Sequence, residues 1–593
     1  MIYRLSDNII SPLGTTTADN YQAVKARRSA VHRYDSRWNV REPFAAALFS
    51  DEQNRQLAVK GLTRFESLAF RSAQQAIRES GIDVSSSRAL FILSTTKANI
   101  ELLGGDADDG VLSPADAAKR VAERLGFSTE PLVVCNACIS GAAAIITALR
   151  LLDAALYDYA VICGADVQSE FTVSGFQSLK AVSPDECRPF DIERIGLNLG
   201  EAAATLVVAS PRHLRISEIA PPHPRTPAPP SWAIVKGSIH NDAFHISSPS
   251  KDGQGALLAL EDVLSGVDTD DLAVVNAHGT ATMFNDQMES VAIERAGLNT
   301  VNVNALKGYF AHTLGAAGLL ETIMTMASLD DGLIPATRGY GELGVSGKIH
   351  LSSEHRPTSK TSFIKMISGF GGGNAALYVK QTSLTPVPPS PRPPVKRHTL
   401  KLTPTSLTID AQSVNLEKEG ADLLTSLYKQ YVDDYPKYYK MDGLCRLGFI
   451  AAELLVKQES SSLLSPHSSL LSPHSSLPRN RAVILFNHSS SIAVDRRYFD
   501  TIADKNDYFP SPSAFVYTLP NIVTGEIAIR HHYHGETSFY ITDRHDSRRE
   551  WQILCASMAD PVTNSAIAGW IDYLDDHHFE ADMYIVERQI IET

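Results

Sequence analysis

Residues 131–156, PLVVCNACISGAAAIITALRLLDAAL, hold the first group able to do covalent chemistry. The apolar run Leu132 to Cys135 predicts a buried strand, and the alanine-rich stretch after Gly141 predicts a helix. Cys138 therefore falls where a strand turns into a helix. A thiol there faces the positive end of the helix dipole, which favours thiolate. Small neighbours at Ala137, Ser140 and Gly141 let a carbonyl approach the backbone N–H groups. Nucleophilic attack through a covalent intermediate is the chemistry this arrangement suits. A lone buried cysteine is more often a small hydrophobe, so partners elsewhere must decide. Three later stretches offer them. They are His278-Gly279-Thr280-Ala281-Thr282, Lys307 with His312, and the glycine run Ser368-Gly369-Phe370-Gly371-Gly372-Gly373-Asn374. The histidines can donate hydrogen bonds or move protons, and the glycines allow tight turns against a ligand.

The surrounding elements must bring these four stretches together. Strands are predicted at 89–93, 159–163, 203–209, 274–277, 301–304 and 363–367, alternating with helices at 60–80, 113–126, 254–264 and 285–296. That alternation predicts layered α/β sheets. At 593 residues the chain exceeds one domain, and its 44% hydrophobic and 20% charged content suits a globular protein. A net charge of −13 argues against nucleic-acid binding. No signal peptide is expected, and no apolar run is long enough to predict a membrane span. Six cysteines without metal-ligand or disulfide spacing, apart from Cys135-x-x-Cys138, predict a reducing, cytoplasmic setting.

Taken in order, the four stretches resemble the β-ketoacyl-acyl-carrier-protein synthases of thiolase-like fold, over about residues 1–380. Cys138 matches the family's A-C-x-S-G nucleophile motif. His278 matches H-G-T-x-T, with Asp286 following. Lys307 and His312 match K-x-x-x-x-H, with Glu321 beyond Gly315-Ala316-Ala317-Gly318. Arg188-Pro189-Phe190-Asp191 matches R-P-F-D, and Phe370 the gatekeeper of G-F-G-G. Three departures stand out: Ala281 and Ala311 replace glycines, and Gly373 replaces threonine. The Cys-His-His set resembles the elongating type, against Cys-His-Asn of the initiating type.

The resemblance implies a layered α-β-α-β-α fold and a decarboxylative Claisen condensation of an acyl thioester with malonyl-acyl carrier protein. Cys138 would carry the acyl chain. His278 and His312 would stabilise the enolate, and Lys307, with Glu321 as counter-ion, would orient His312. Thr280, Thr282, Phe370, Gly369, Gly371 and Glu321 would line or support the substrate site. Neither a metal nor an organic cofactor is implied. The partner would be an acidic acyl carrier protein, met by basic residues such as Lys60 and Arg64, and the assembly a homodimer or a heterodimer with a ketosynthase-like subunit.

The proline-rich stretch at 382–397 predicts a linker. Beyond it, Gly443-Leu444-Cys445-Arg446 repeats Gly61-Leu62-Thr63-Arg64, and Asn480-Arg481-Ala482-Val483 matches Ser87-Arg88-Ala89-Leu90. Ser538–Ile541 aligns with the strand before Cys138, and 566–568 with 160–162. Residues 398–593 thus resemble ketosynthase-like or chain-length-factor proteins found with bacterial aryl-polyene and flexirubin-type pigment synthases. This segment would be a smaller half-copy of the fold at 1–381, broken by a low-complexity insertion near 459–478. On this register Arg544 takes the nucleophile's place and no histidine motif follows. The expected role of this half is to pack on a ketosynthase surface. The competing reading makes the whole chain a non-catalytic chain-length factor or scaffold subunit.

Overall fold

The computed structural model describes residues 1–105, 108–212, 231–382, 393–463 and 480–588. The expected linker and insertion fall largely outside these residues. No helix among the described residues is long and apolar enough to cross a membrane.

Two sheets enclose a central pair of helices. The first sheet runs Ile2–Ile10, Ala202–Ala209, Tyr159–Asp166, Ala89–Ser94, Leu132–Val134. The second runs Ser231–Asn241, Gly373–Thr382, Ser362–Gly369, Val274–Asn276, Val303–Asn304. Between them lie Ser140–Asp153 and Ala317–Asp330, buried on nearly every face. Both are mostly apolar or small on every side, as covered helices must be, with Arg150 and Glu321 neutralised by ion pairs. They also cross closely. A Cβ on Gly141 would sit 2.8 Å from the Leu319 nitrogen, and one on Gly318 would overlap the Ala142 nitrogen. The helices Arg64–Ser80 and Pro114–Leu125 cover the first sheet's outer face. Gln254–Leu264 and Met283–Arg295 cover the second sheet's. The result is the five-layer α-β-α-β-α arrangement.

The rest of the chain is a half-copy. Its strands run Val395–Thr403, His578–Glu587, Ser565–Asp575, Ala482–Asn487, Thr537–Ile541. The pairings are antiparallel, antiparallel, parallel and parallel, the same sequence of senses as in the first sheet. Gly443–Leu463 covers the outer face, and Ser547–Ser557 follows the last strand as Ser140–Asp153 follows Leu132–Val134. Among the described residues the second sheet has no counterpart in this half.

The two halves join edge to edge. Val133 and Val134 pair antiparallel with Ile541 and Tyr540. The Cys135 N–H donates to the Phe539 carbonyl at 3.1 Å, and the Phe539 N–H to Asn136 Oδ1 at 2.7 Å. The strand feeding Cys138 would otherwise be a sheet edge; here its hydrogen-bonding groups are matched. Buried ion pairs Lys97–Asp495 (2.5 Å) and Arg150–Glu536 (2.7 Å) also cross the junction.

Strand faces correct one alignment. Leu90 and Ile92 belong to the central core with Ala482, Ile484 and Phe486, whereas Phe91, Leu93, Val483 and Leu485 face the outer helices. Leu90 pairs with Ala160, and Ala482 with Ala566. Leu90 therefore corresponds to Ala482, and matching Arg88-Ala89 to Arg481-Ala482 is one residue out of register. A one-residue slip exchanges the two faces of a strand, so burial exposes it. Val134 and Tyr540 share the central face, which puts Arg544 at the position of Cys138. Arg544 lies at the surface, paired with Glu130 at 2.6 Å.

Candidate active site

Cys138 sits in a 3₁₀ turn, Ala137–Ile139, between Leu132–Val134 and the helix Ser140–Asp153. Ala137 takes φ +48°, a left-handed conformation that marks a tight, strained turn. The thiol is nearly buried, at 8% exposure. Burial pushes it up to about 12, against the pull of the Lys307 ammonium and the N–H groups of Cys138 and Phe370. Burial thus works against the thiolate that the helix terminus favours. A thiol so enclosed needs a proton acceptor to react.

That acceptor is at hand. Cys138 Sγ and ring nitrogens of His278 and His312 lie within 4.8 Å of one another. The two rings meet edge to face, 4.9 Å between centroids. Burial, then the Lys307 ammonium, holds both imidazoles well below their usual range, so both are neutral. Each carries one N–H donor and one lone pair. His278 Nδ1 and both nitrogens of His312 are buried with no hydrogen-bond partner. Buried polar atoms are rarely left so, and these border the cavity that holds the thiol.

The backbone around His278 is fixed from behind. Glu289 accepts the N–H groups of His278 and Gly279, both at 2.7 Å. Asp286 accepts those of Phe190 (2.6 Å) and Ala281 (3.1 Å), tying the Arg188–Asp191 loop to the His278 loop. Lys307 Nζ donates to the His278 carbonyl and to Glu321, both at 2.7 Å. It therefore anchors the His278 backbone; the expected contact with the His312 ring is replaced by this one. Lys365 pairs with the other oxygen of Glu321 and donates to Asn276 Oδ1 at 2.8 Å. Burial opposes the Glu321 charge, but the two ammoniums hold it below the usual carboxylate range. Glu321 is thus an internal counter-ion and does not line the cavity. Lys365 and Glu289 escaped the sequence reading. A single lysine inside the apolar strand Phe363–Ile367 was the available signal for the first.

The cavity above Cys138 measures about 330 Å³. Thr280, Thr282, Gly369 and Phe370 line it, with Cys138, His278 and His312 at its floor. The two threonine hydroxyls bond each other at 2.9 Å. Gly371 turns away and packs against Asn521 of the second half. Phe370 stacks on Phe176 at 5.8 Å. Ala281 and Ala311 take φ +62° and +58°. They are the two positions where alanine replaces glycine, and the missing glycine freedom costs roughly 1–3 kcal/mol at each.

Neither basic residue expected to receive a carrier protein lines the cavity. Arg64 is committed elsewhere, paired with Glu101 (2.6 Å) and Glu201 (2.7 Å) and donating to the Gln168 carbonyl. Its charge is spent inside the fold. Lys60 is exposed.

Comparison with known proteins points one way. Residues 7–213 match the family model "Beta-ketoacyl synthase, N-terminal domain", and 232–341 match "Beta-ketoacyl synthase, C-terminal domain". Nodulation protein E of Rhizobium sp. (strain N33) is 30% identical over 302 residues, covering 47% of this chain and 73% of that one. The 3-oxoacyl-[acyl-carrier-protein] synthase 2 of Vibrio cholerae is 28% identical over 415 residues, 63% of this chain and 97% of that one. The solved structure of PfaC Keto synthase-Chain length factor matches with a TM-score of 0.74 at 14% identity, over 99% of this chain and 78% of the other, a likeness of fold.

Proposed function

Because the chain belongs to the β-ketoacyl synthase family, we propose that it joins an acyl thioester to malonyl-acyl carrier protein by decarboxylative Claisen condensation. One observation carries the assignment of roles: the Cys138 thiol and two neutral imidazoles with unpaired nitrogens share one buried floor.

The Cys138 thiol gives its proton to an imidazole lone pair as its sulfur attacks the acyl carbonyl carbon. The oxyanion is held by the N–H groups of Cys138 and Phe370. The carbonyl re-forms, the carrier thiolate leaves, and it recovers the proton. Malonyl thioester then occupies the cavity. Its bond to the carboxylate breaks, carbon dioxide leaves, and the electron pair becomes an enolate. The enolate oxygen accepts hydrogen bonds from the N–H groups of His278 and His312. Its carbon attacks the acyl-cysteine carbonyl, the carbon–sulfur bond breaks, and Cys138 takes up a proton. The product is a β-ketoacyl thioester two carbons longer. Lys307, Lys365 and Glu321 hold the floor rigid and act through it.

The second half takes the place of a dimer partner in cis. The alternative, a wholly non-catalytic chain, is not favoured, since Cys138, His278, Lys307 and His312 are all present and converge. Arg544 leaves the second half without a nucleophile, and its thiols Cys445 and Cys555 are raised above the usual range by burial.

This half also bears on chain length. From Phe370 a row of rings leads away from Cys138. Phe370 stacks on Phe176, and Phe515 of the second half meets Phe176 edge-on at 5.3 Å. The Phe515 ring fills the space where a Cβ on Gly175 would lie. Phe515→Ala removes the last ring of this row and shifts the product distribution toward longer chains, read by mass spectrometry of carrier-bound products. The cavity costs roughly 3–5 kcal/mol of stability, so unfolding is followed in parallel. A folded variant with unaltered product lengths contradicts the role.

A further inference from the structure

The second half reaches the oxyanion-binding loop itself. Residues 370–372 form the tight connection between the paired strands Ser362–Gly369 and Gly373–Thr382. The loop begins against the nucleophile turn: a Cβ on Gly369 would lie 3.2 Å from the Cys138 nitrogen, Phe370 lines the same cavity as Cys138, and its N–H draws on the thiol. The peptide that follows is clamped. The Gly371 N–H donates to the Ile246 carbonyl at 2.7 Å, and the Gly371 carbonyl accepts from Asn241 Nδ2 at 2.7 Å. The Phe370 carbonyl accepts from Asn521 Nδ2 at 2.9 Å. Asn521 precedes the helix Ile522–His531 of the second half. That helix lies directly on the loop. A Cβ on Gly525 would be 2.5 Å from the Gly371 oxygen, and one on Gly371 would be 2.8 Å from Asn521 Nδ2. Asn521 is 6% exposed, and its Oδ1 has no partner. The bond to Phe370 is therefore what orients its carboxamide.

We propose that Asn521 is a positioning residue for condensation. By holding the Phe370 carbonyl, it keeps the Phe370 N–H aimed over Cys138, so the half without a nucleophile completes the oxyanion site of the half that has one. The inference rests on the acyl-transfer reading given above. Asparagine suits the task because it donates where aspartate can only accept. A carboxylate at 521 would face the Phe370 carbonyl with like partial charges and push the loop away.

The test uses the full chain and the variants Asn521→Ala and Asn521→Asp. Acyl transfer from an acyl carrier protein to Cys138 is timed by intact mass. Iodoacetamide alkylation of Cys138, which forms no oxyanion, is timed alongside. Direct loss of an oxyanion donor slows catalysis on the order of 10²–10³-fold, and an indirect one is expected to cost at least about tenfold. The expected result is a fall of that size in kcat for acyl transfer in both variants, larger for aspartate, with KM within about twofold of the unaltered chain and a clearly smaller fall in alkylation, since the Phe370 N–H also draws the thiol toward thiolate. Unchanged acyl transfer in N521D overturns the assignment, as does a parallel fall in alkylation in both variants, which indicates general damage to the nucleophile turn. No acyl transfer by the unaltered chain overturns the proposed function and this inference together.

Discussion

Cys138→Ser abolishes acyl loading and condensation. Serine keeps the shape but replaces a thiol with a far weaker acid. The floor offers only neutral imidazoles as proton acceptors, and desolvation already holds the thiol protonated at rest. A hydroxyl there gives no competent nucleophile. Loss of the group that forms the covalent intermediate costs on the order of 10⁴-fold or more in turnover. The substitution leaves the fold in place: an unsatisfied buried hydroxyl costs about 1–3 kcal/mol. Timed intact-mass measurement with acyl carrier protein checks this. A serine variant that condenses at near the original rate removes Cys138 from the mechanism.

The histidine variants separate the two half-reactions. His278→Ala and His312→Ala each remove one N–H from the enolate oxygen and should lower malonyl decarboxylation on the order of 10²–10³-fold. Acyl loading remains measurable in each variant, because the remaining imidazole still accepts the thiol proton and the Cys138 and Phe370 N–H groups are untouched. Carbon dioxide release from malonyl-acyl carrier protein reads the first effect, and acyl-enzyme mass the second. Full decarboxylation by both variants contradicts the assigned role. So does complete loss of acyl loading in both, which would make the pair part of the nucleophile's activation alone.

The clustering of Cys138, His278 and His312 was legible because they lie at strand ends inside short motifs, where local spacing carries the information. What stands behind it was less so. Lys365 looks like an ordinary member of an apolar strand, and only the fold brings its ammonium to Glu321. The burial of Cys138 is hidden for a related reason. A helix terminus is visible in sequence, but the depth of burial that overrides it is a tertiary property. Arg64 stands as a carrier-protein contact only because an acidic carrier implies basic residues, and long-range partners at Glu101 and Glu201 claim it. The repeat in the second half is visible from four short matches, yet only strand faces detect the one-residue slip at Arg481. The pairing of Tyr540 with Val134, which seats one half on the other, joins residues about 400 apart, and no local pattern announces it.

The most direct test follows mass on the full chain. The protein is mixed with acyl-loaded carrier protein, sampled, then given malonyl-loaded carrier protein, with intact mass, peptide mapping and carbon dioxide release recorded together. The account predicts one acyl group, mapped to Cys138. It also predicts its disappearance on malonyl addition, one carbon dioxide per acyl group consumed, and a β-ketoacyl carrier two carbons longer. An acyl group mapped to residues 398–593, or carbon dioxide released without a longer carrier-bound product, contradicts it.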